Sequence, residues 1–225
     1  MEHESSERRR RGRLRIYLGA APGVGKTYAM LEEGRRRRAR GTDVVVAHVE
    51  THGRSKTAEP LGDLEVIPPH DGLDLAAVLR RRPSVALVDD LAHTNPPGSD
   101  RPKRIDDVQV LLDAGIDVVT TVNVQHLESL NDVVERITGV RENETVPDAV
   151  VRAADQIELV DMDPAALRRR MAHGNIYAPE DVDVALADYF RIGNLTALRE
   201  LALLWVADRV DESLKGYLAA HGIAG

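Results

Sequence analysis

Short apolar runs alternate with helix-period segments from Leu14 to Val160. Leu14 to Leu18 reads as a buried strand, Lys26 to Arg40 as a helix, and Asp43 to Val49 as a second strand. A short strand is expected near Leu64 to Ile67 and a helix near Leu73 to Arg81. A third long strand follows at Val85 to Val88, then a helix near Arg104 to Asp113 and a fourth long strand at Ile116 to Val122. A helix from about Val124 to Thr138 and a strand at Gln156 to Val160 close the alternation. Strands that are apolar throughout are covered on both faces, so the pattern predicts an α/β fold with a mostly parallel sheet flanked by helices. Ligands of such sheets bind at the carboxyl ends of the strands.

Beyond Asp163-Pro164 the pattern turns wholly helical: Ala165 to His173, Glu180 to Phe190 behind Pro179, and Leu195 to about Ala220. The expected organisation is a disordered basic tail over residues 1–12, an α/β domain over 13–162 and an all-helical C-terminal extension over 163–225. The run Arg8 to Arg11 reads as part of a solvated tail.

Composition narrows the functions available. Thirty basic against 37 acidic side chains give a net charge of −7, which offers no global attraction for nucleic acid or an anionic membrane. The absence of cysteine excludes disulfides, thiolate metal sites and cysteine nucleophiles. One Phe and five Tyr leave few rings for stacking on single strands. The first residues lack the apolar core of a signal peptide, and nowhere do about 18 consecutive apolar residues occur. A soluble, cytoplasmic chain is expected. His48 and His52 straddle a strand end rather than sharing a helix face, which argues against a metal pair. The arginine clusters at 35–38, 80–82 and 168–170 fall toward helix C-termini, where they favour the helix dipole.

The candidate chemistry lies between the first strand and the first helix. Ala20-Ala21-Pro22-Gly23-Val24-Gly25-Lys26-Thr27, which follows Gly19, fits the phosphate-loop pattern G-x-x-x-x-G-K-[ST] with alanine at the first position of the pattern. Gly23 and Gly25 let the loop curl with its N–H groups inward, and the positive end of the helix completes an anion nest. Lys26 is assigned to the β- and γ-phosphates of ATP and the Thr27 hydroxyl to Mg²⁺; Gly19 through Tyr28 form the cofactor-binding set. The fold class is thus P-loop NTPase-like.

Such a site also needs a carboxylate on a neighbouring strand. Val85 to Val88 followed by Asp89-Asp90 supplies it, and Asp89 is assigned to the metal. Asp90 stands where many P-loop ATPases carry a catalytic glutamate. One methylene shorter, it is either a base or a turn residue bonding the following loop. Lys26 and Asp90 are the catalytic candidates. Asn123, at the end of the fourth long strand, is either a γ-phosphate sensor or the N-cap of its helix. The proline-interrupted loop Leu91 to Arg104 is either a solvated mobile loop or the carrier of an arginine finger. Glu50 to Arg54 either lines the cleft or forms a simple turn.

The strings GAAPGVGKTYAML, VETHGR, VDDLAHTNPPGS, AGIDVVTTVNVQHLESLND and GNLTALRELALLWVADRVDESL together closely resemble the N-terminal cytoplasmic domain of the KdpD family of osmosensitive potassium-channel sensor histidine kinases. The resemblance covers about Arg13 to Tyr217. It implies a P-loop domain that binds ATP and modulates the balance of kinase and phosphatase activity toward the response regulator KdpE, which controls a high-affinity potassium pump. The nucleotide motif carries over to Gly19 to Thr27 and the second motif to Val85 to Asp90. The family usually shows glutamate where Asp90 stands and an aromatic residue where Ile105 stands.

Full-length members continue into a stress-protein-like domain, membrane helices and a kinase core, and no phosphoacceptor-histidine helix or second ATP site is found here. The expectation is therefore a domain of such a protein, or a short relative, that is not itself a histidine kinase. Two functions stay open: a regulatory ATP-binding module, with or without slow hydrolysis, and a phosphotransferase acting on a partner's hydroxyl. The shortened acid at position 90 favours the first.

Overall fold

The computed structural model describes residues 10–49, 61–69, 72–172 and 189–222. Its elements in chain order begin with β1 (Leu14–Gly19), α1 (Lys26–Ala39), β2 (Val44–His48), β3 (Glu65–Val66), α2 (Leu75–Arg81) and β4 (Val85–Val88). They continue with α3 (Arg104–Asp113), β5 (Asp117–Asn123), α4 (Asn131–Thr138), α5 (Asp148–Arg152), β6 (Gln156–Val160), α6 (Pro164–Ala172) and α7 (Ile192–Ala220).

The described strands form one six-stranded sheet, ordered β3-β2-β4-β5-β1-β6, with every pairing parallel. The apolar runs are buried on both faces, and successive residues serve opposite cores. Ile16, Val45, Ala86 and Val118 face one core, which α2, α3 and α7 cover through Val78, Leu111 and Trp205. Tyr17, Val46, Leu87 and Val119 face the other, which α1 covers through Met30 and Leu31. An α/β fold with a P-loop-like parallel sheet and a C-terminal helix is what the chain forms.

Local chemistry sets several boundaries. Asp74 caps α2, its Oδ1 accepting from the Ala77 N–H at 2.8 Å. Asp163 does the same for α6, accepting from Ala166 N–H at 2.9 Å, with Pro164 at the first helical position.

Three features differ from the sequence reading. The helix expected over Val124 to Thr138 is broken into 3₁₀ turns at Val124–His126 and Glu128–Leu130 before α4 starts. Leu127 is extended there and bridges Val146, while His126 Nδ1 pairs with the Glu144 carbonyl at 2.7 Å. These partners lie some 18 residues away in sequence, so local periodicity does not register them. Helix α5 was not anticipated. Gly12, assigned to the disordered lead-in, donates its N–H to the Leu112 carbonyl at 2.7 Å, and Arg11 Nε reaches Asp113 at 2.8 Å. Residues 1–9 of the tail, the Glu50 to Arg54 segment with His52, and most of the helix expected over Glu180 to Phe190 lie outside the described residues.

Candidate functional site

The phosphate-loop segment lies between β1 and α1, at the carboxyl edge of the sheet. Gly23 and Gly25 take φ of 87° and 107°, the left-handed region that side chains disfavour. Gly25 is also the N-cap of α1, and no side chain hydrogen-bonds across that helix end. Gly19 is required for a different reason. A β-carbon there would sit 2.7 Å from Val24 Cγ2 and 2.8 Å from Lys26 Cδ, because the lysine stem folds back across the end of β1.

That path carries Lys26 to β5. Its buried Nζ donates to Asn123 Oδ1 at 2.5 Å. Asn123 makes no capping hydrogen bond to the turn that follows it, so its carboxamide serves the lysine rather than a helix end. Thr27 Oγ1 donates to Asp89 Oδ2 at 2.9 Å, and the Thr121 hydroxyl donates to Asp89 Oδ1. The structure thus brings Lys26, Thr27, Asp89 and Asn123 together. Ala20, Ala21 and Val24 are buried, Pro22 and Gly23 half-buried, and Tyr28 is 49 % exposed.

The neighbouring-strand expectation is corrected. The strand beside β1 is β5, not β4, and Asp89 reaches Thr27 past the end of β5. The small side chain at Thr121 leaves that route open and binds the carboxylate on the way.

Burial raises the pKa of Asp89, and the charge of Asp90 raises it further. The Thr121 hydrogen bond, the Lys26 charge and the Thr27 hydrogen bond oppose that rise. Asp90 Oδ1 accepts from the Ala92 N–H at 3.1 Å, the turn arrangement. The Asp89-Asp90 peptide bond is cis.

The Leu91 to Arg104 loop is braced rather than loose. Asn95 N–H donates to the Pro102 carbonyl at 2.9 Å, Asn95 Nδ2 to Asp107 at 2.6 Å, and Arg101 Nε to Asp107 at 2.7 Å. Its basic end is turned inward: Lys103 Nζ binds the Thr145 carbonyl at 2.8 Å, and the fully buried Arg104 donates Nη1 to the Asp89 carbonyl at 2.9 Å. Arg104 therefore supports the backbone of the candidate metal ligand from below, where the sequence analysis considered a finger.

A family model described as KdpD, osmosensitive K⁺ channel His kinase sensor domain, matches residues 10–210. The chain belongs to the KdpD sensor-domain family. A sensor protein KdpD of Mycobacterium tuberculosis (strain H37Rv) is 66 % identical, covering 97 % of this chain and 26 % of that protein. A sensor protein KdpD of Rathayibacter rathayi is 55 % identical over 93 % of this chain and 26 % of its own length. That of Escherichia coli (strain K12) is 52 % identical over 94 % of this chain and 25 % of its own length. The chain thus spans about a quarter of the length of these KdpD relatives and matches the sensor part of a two-component kinase. Among the described residues no helix is long and apolar enough to cross a membrane, and no group of three or more His, Cys, Asp or Glu side chains is placed to hold a metal ion.

Residues that the sequence analysis left without a role also converge here. Thr121 was visible only as part of a Thr-Thr pair. Gln125 accepts a hydrogen bond from the Tyr189 hydroxyl and donates Nε2 to Glu142 at 2.8 Å, tying the segment after Asn123 to the turn just before α7. Ala21 and Val24 of the phosphate loop pack with Leu167 and Met171 of α6 and with Phe190 and Leu195. The helical extension is therefore in direct contact with the loop.

Proposed function

We propose that this is the ATP-binding regulatory domain of a KdpD-type sensor kinase. Nucleotide occupancy, with or without slow hydrolysis, biases the arrangement of the helical extension that the remaining domains read. Through those domains it would act on the response regulator KdpE and on expression of the high-affinity potassium transport system, from the cytoplasmic side of the membrane.

The observation that carries the reading is the pair of hydrogen bonds Lys26–Asn123 and Thr27–Asp89 at one strand edge. A hydroxyl and a carboxylate suit Mg²⁺, which typically takes one or two protein oxygens, substrate phosphates and water. A space that a single methyl on Gly19 would fill is what lets Lys26 lie across the strand end. Gly19 to Thr27 would hold the phosphates, Tyr28 would flank them, Thr27 and Asp89 would hold the ion, and Asn123 would sense the terminal phosphate by exchanging its lysine partner. The ion would supply charge neutralisation.

The bond from Asp90 to the Ala92 amide favours binding over rapid turnover, because it occupies one oxygen that a catalytic base needs. Incubation with Mg²⁺ and terminally labelled ATP separates the functions. Tight binding without loss of label supports the regulatory module, and released phosphate adds slow hydrolysis. Label on a serine or threonine of a co-incubated kinase core would assign transfer instead. Lys26→Ala abolishes all of these; retained binding in that variant overturns the proposal.

A further inference from the structure

We infer that Thr121 is a specificity-determining residue of the proposed nucleotide site: by pinning one oxygen of Asp89 it leaves a single carboxylate oxygen for the ion, and so selects Mg²⁺ over Ca²⁺. The inference rests on the nucleotide reading above and deepens it, since it concerns which ion accompanies the phosphates.

The backbone of Asp89 is fixed on both sides. Its N–H donates to the His48 carbonyl at the end of β2 at 3.0 Å, and its carbonyl accepts from Arg104 Nη1 at 2.9 Å. The carboxylate therefore keeps only its side-chain torsions. There the Thr121 hydroxyl donates to Oδ1 and the Thr27 hydroxyl to Oδ2, so one oxygen faces β5 and the other faces the loop after β1. Leu91 N–H returns to the Thr121 carbonyl at 2.9 Å, so the same residue also holds the chain just past Asp89.

The period of the strand supplies this hydroxyl. Val119, Thr121 and Asn123 alternate along β5 on the side of the sheet that α1 covers. Val119 packs in the core with Met30 and Leu31, Thr121 meets Asp89 and Asn123 meets Lys26. A β-branched residue is stiff at its first torsion, so the backbone sets the direction of the hydroxyl. The fold does not need this contact merely to satisfy a buried hydroxyl. Thr120 is equally buried, pairs in register with Ile16 of the opposite core, and its hydroxyl has no hydrogen-bond partner among the described residues.

The consequence lies in how many oxygens Asp89 can turn to an ion. Ca²⁺ takes about six to eight oxygens and accepts a carboxylate through both of its own, whereas Mg²⁺ demands near-octahedral geometry at shorter distances. With Oδ1 held to β5, Asp89 offers Oδ2 alone, beside the Thr27 hydroxyl. Releasing Oδ1 frees the carboxylate to present both oxygens, which favours the larger cation.

The test is calorimetric titration of the full chain with ATP in excess Mg²⁺ and, separately, in excess Ca²⁺. The unaltered chain is expected to bind MgATP the more tightly. Thr121→Val, which exchanges the hydroxyl for a methyl, should weaken MgATP about tenfold or more, the scale of a lost hydrogen bond to a charged group, and CaATP far less. Thr121→Ser should restore most of the Mg²⁺ preference, and Thr120→Val should bind like the unaltered chain. Thr121→Ala serves if the valine variant does not fold. An equal loss for both ions overturns the inference by giving Thr121 a structural role only. MgATP affinity within about twofold of the unaltered chain overturns it as well, as does an unaltered chain that binds the two complexes equally; in each of these the nucleotide site stands. No ATP binding by the unaltered chain with either ion removes the nucleotide reading itself, and this inference with it.

Discussion

Thr27 Oγ1 donates to Asp89 Oδ2 at 2.9 Å although the strands that carry their segments, β1 and β4, are separated by β5. The contact joins the loop after β1 to the end of β4 across β5. It leaves a carboxylate that is 5 % exposed and held by two hydroxyls and a lysine charge. The burial of its charged form is a cost.

Asp89→Asn should therefore stabilise the ligand-free chain at neutral pH and weaken its response to MgATP. The sign follows from the direction of the shift. The folded pKa of Asp89 lies above its ordinary value, so the group's stabilising contribution is complete below the ordinary aspartate range and is lost as pH rises through the folded pKa. The gain in melting temperature from Asp89→Asn should be near zero at pH 3 to 4 and grow toward neutrality. A few degrees is the scale of about 1 kcal/mol in a chain of this size. A gain that shrinks as pH rises would contradict the assignment.

Gly19→Ala and Gly193→Ala should have opposite effects. At Gly19 the new methyl meets Val24 and the middle of the buried Lys26 stem below 3.0 Å, so overpacking should cost about 1–3 kcal/mol and displace the lysine. At Gly193, in the first turn of α7 with nothing within 4 Å, alanine should stabilise by about 0.5 kcal/mol, a part of the helix-interior propensity difference. Urea denaturation measures both, and nucleotide titration should show a defect only in the Gly19 variant.

Arg104 should behave as a structural support for Asp89 and not as a surface cation. Arg104→Ala leaves the Asp89 carbonyl and the Asn95 side chain short of a donor and opens a cavity, at a cost of about 2–4 kcal/mol. Arg104→Lys should recover little, because one ammonium cannot span both partners. Chemical denaturation with tryptophan emission as the signal checks this; a lysine variant as stable as the parent would assign Arg104 no bridging role.

Docking of α7 should loosen in acid, and the chain's single tryptophan reports it. Trp205 Nε1 donates to Asp148 Oδ1 at 2.9 Å, and Ser129 donates to the same carboxylate from N–H and hydroxyl. Burial raises the pKa of Asp148, but the Ser129 and Trp205 hydrogen bonds and the Arg152 charge outweigh it, so the folded value lies below the ordinary one. Its stabilisation is present above the ordinary aspartate pKa and is lost as pH falls through the folded value. Trp205 emission should shift in that acid range in the parent, and Asp148→Asn should show the loosened spectrum already at pH 7.

The elements and the site motif were legible in the sequence because both are local. An apolar run such as Val85 to Val88 can be buried only on two faces, and Gly23, Gly25, Lys26 and Thr27 carry their chemistry in their spacing. Asn123 and Asp89 could be placed at strand ends by the same logic. The broken segment after Asn123 was not legible, since the contacts of Leu127 with Val146 and of His126 with Glu144 replace the helix from a distance.

By itself, then, the sequence determined the parallel α/β layers, the glycine-rich turn between β1 and α1 and the acid after β4, since hydrophobic period and backbone freedom act within a few residues. Only the tertiary structure decided that β5 lies between β1 and β4, that Lys26 pairs with Asn123 and that Arg104 is buried beneath Asp89. Strand order and helix docking are chosen by packing between segments some 15 to 97 residues apart, and no local pattern records which surfaces will meet.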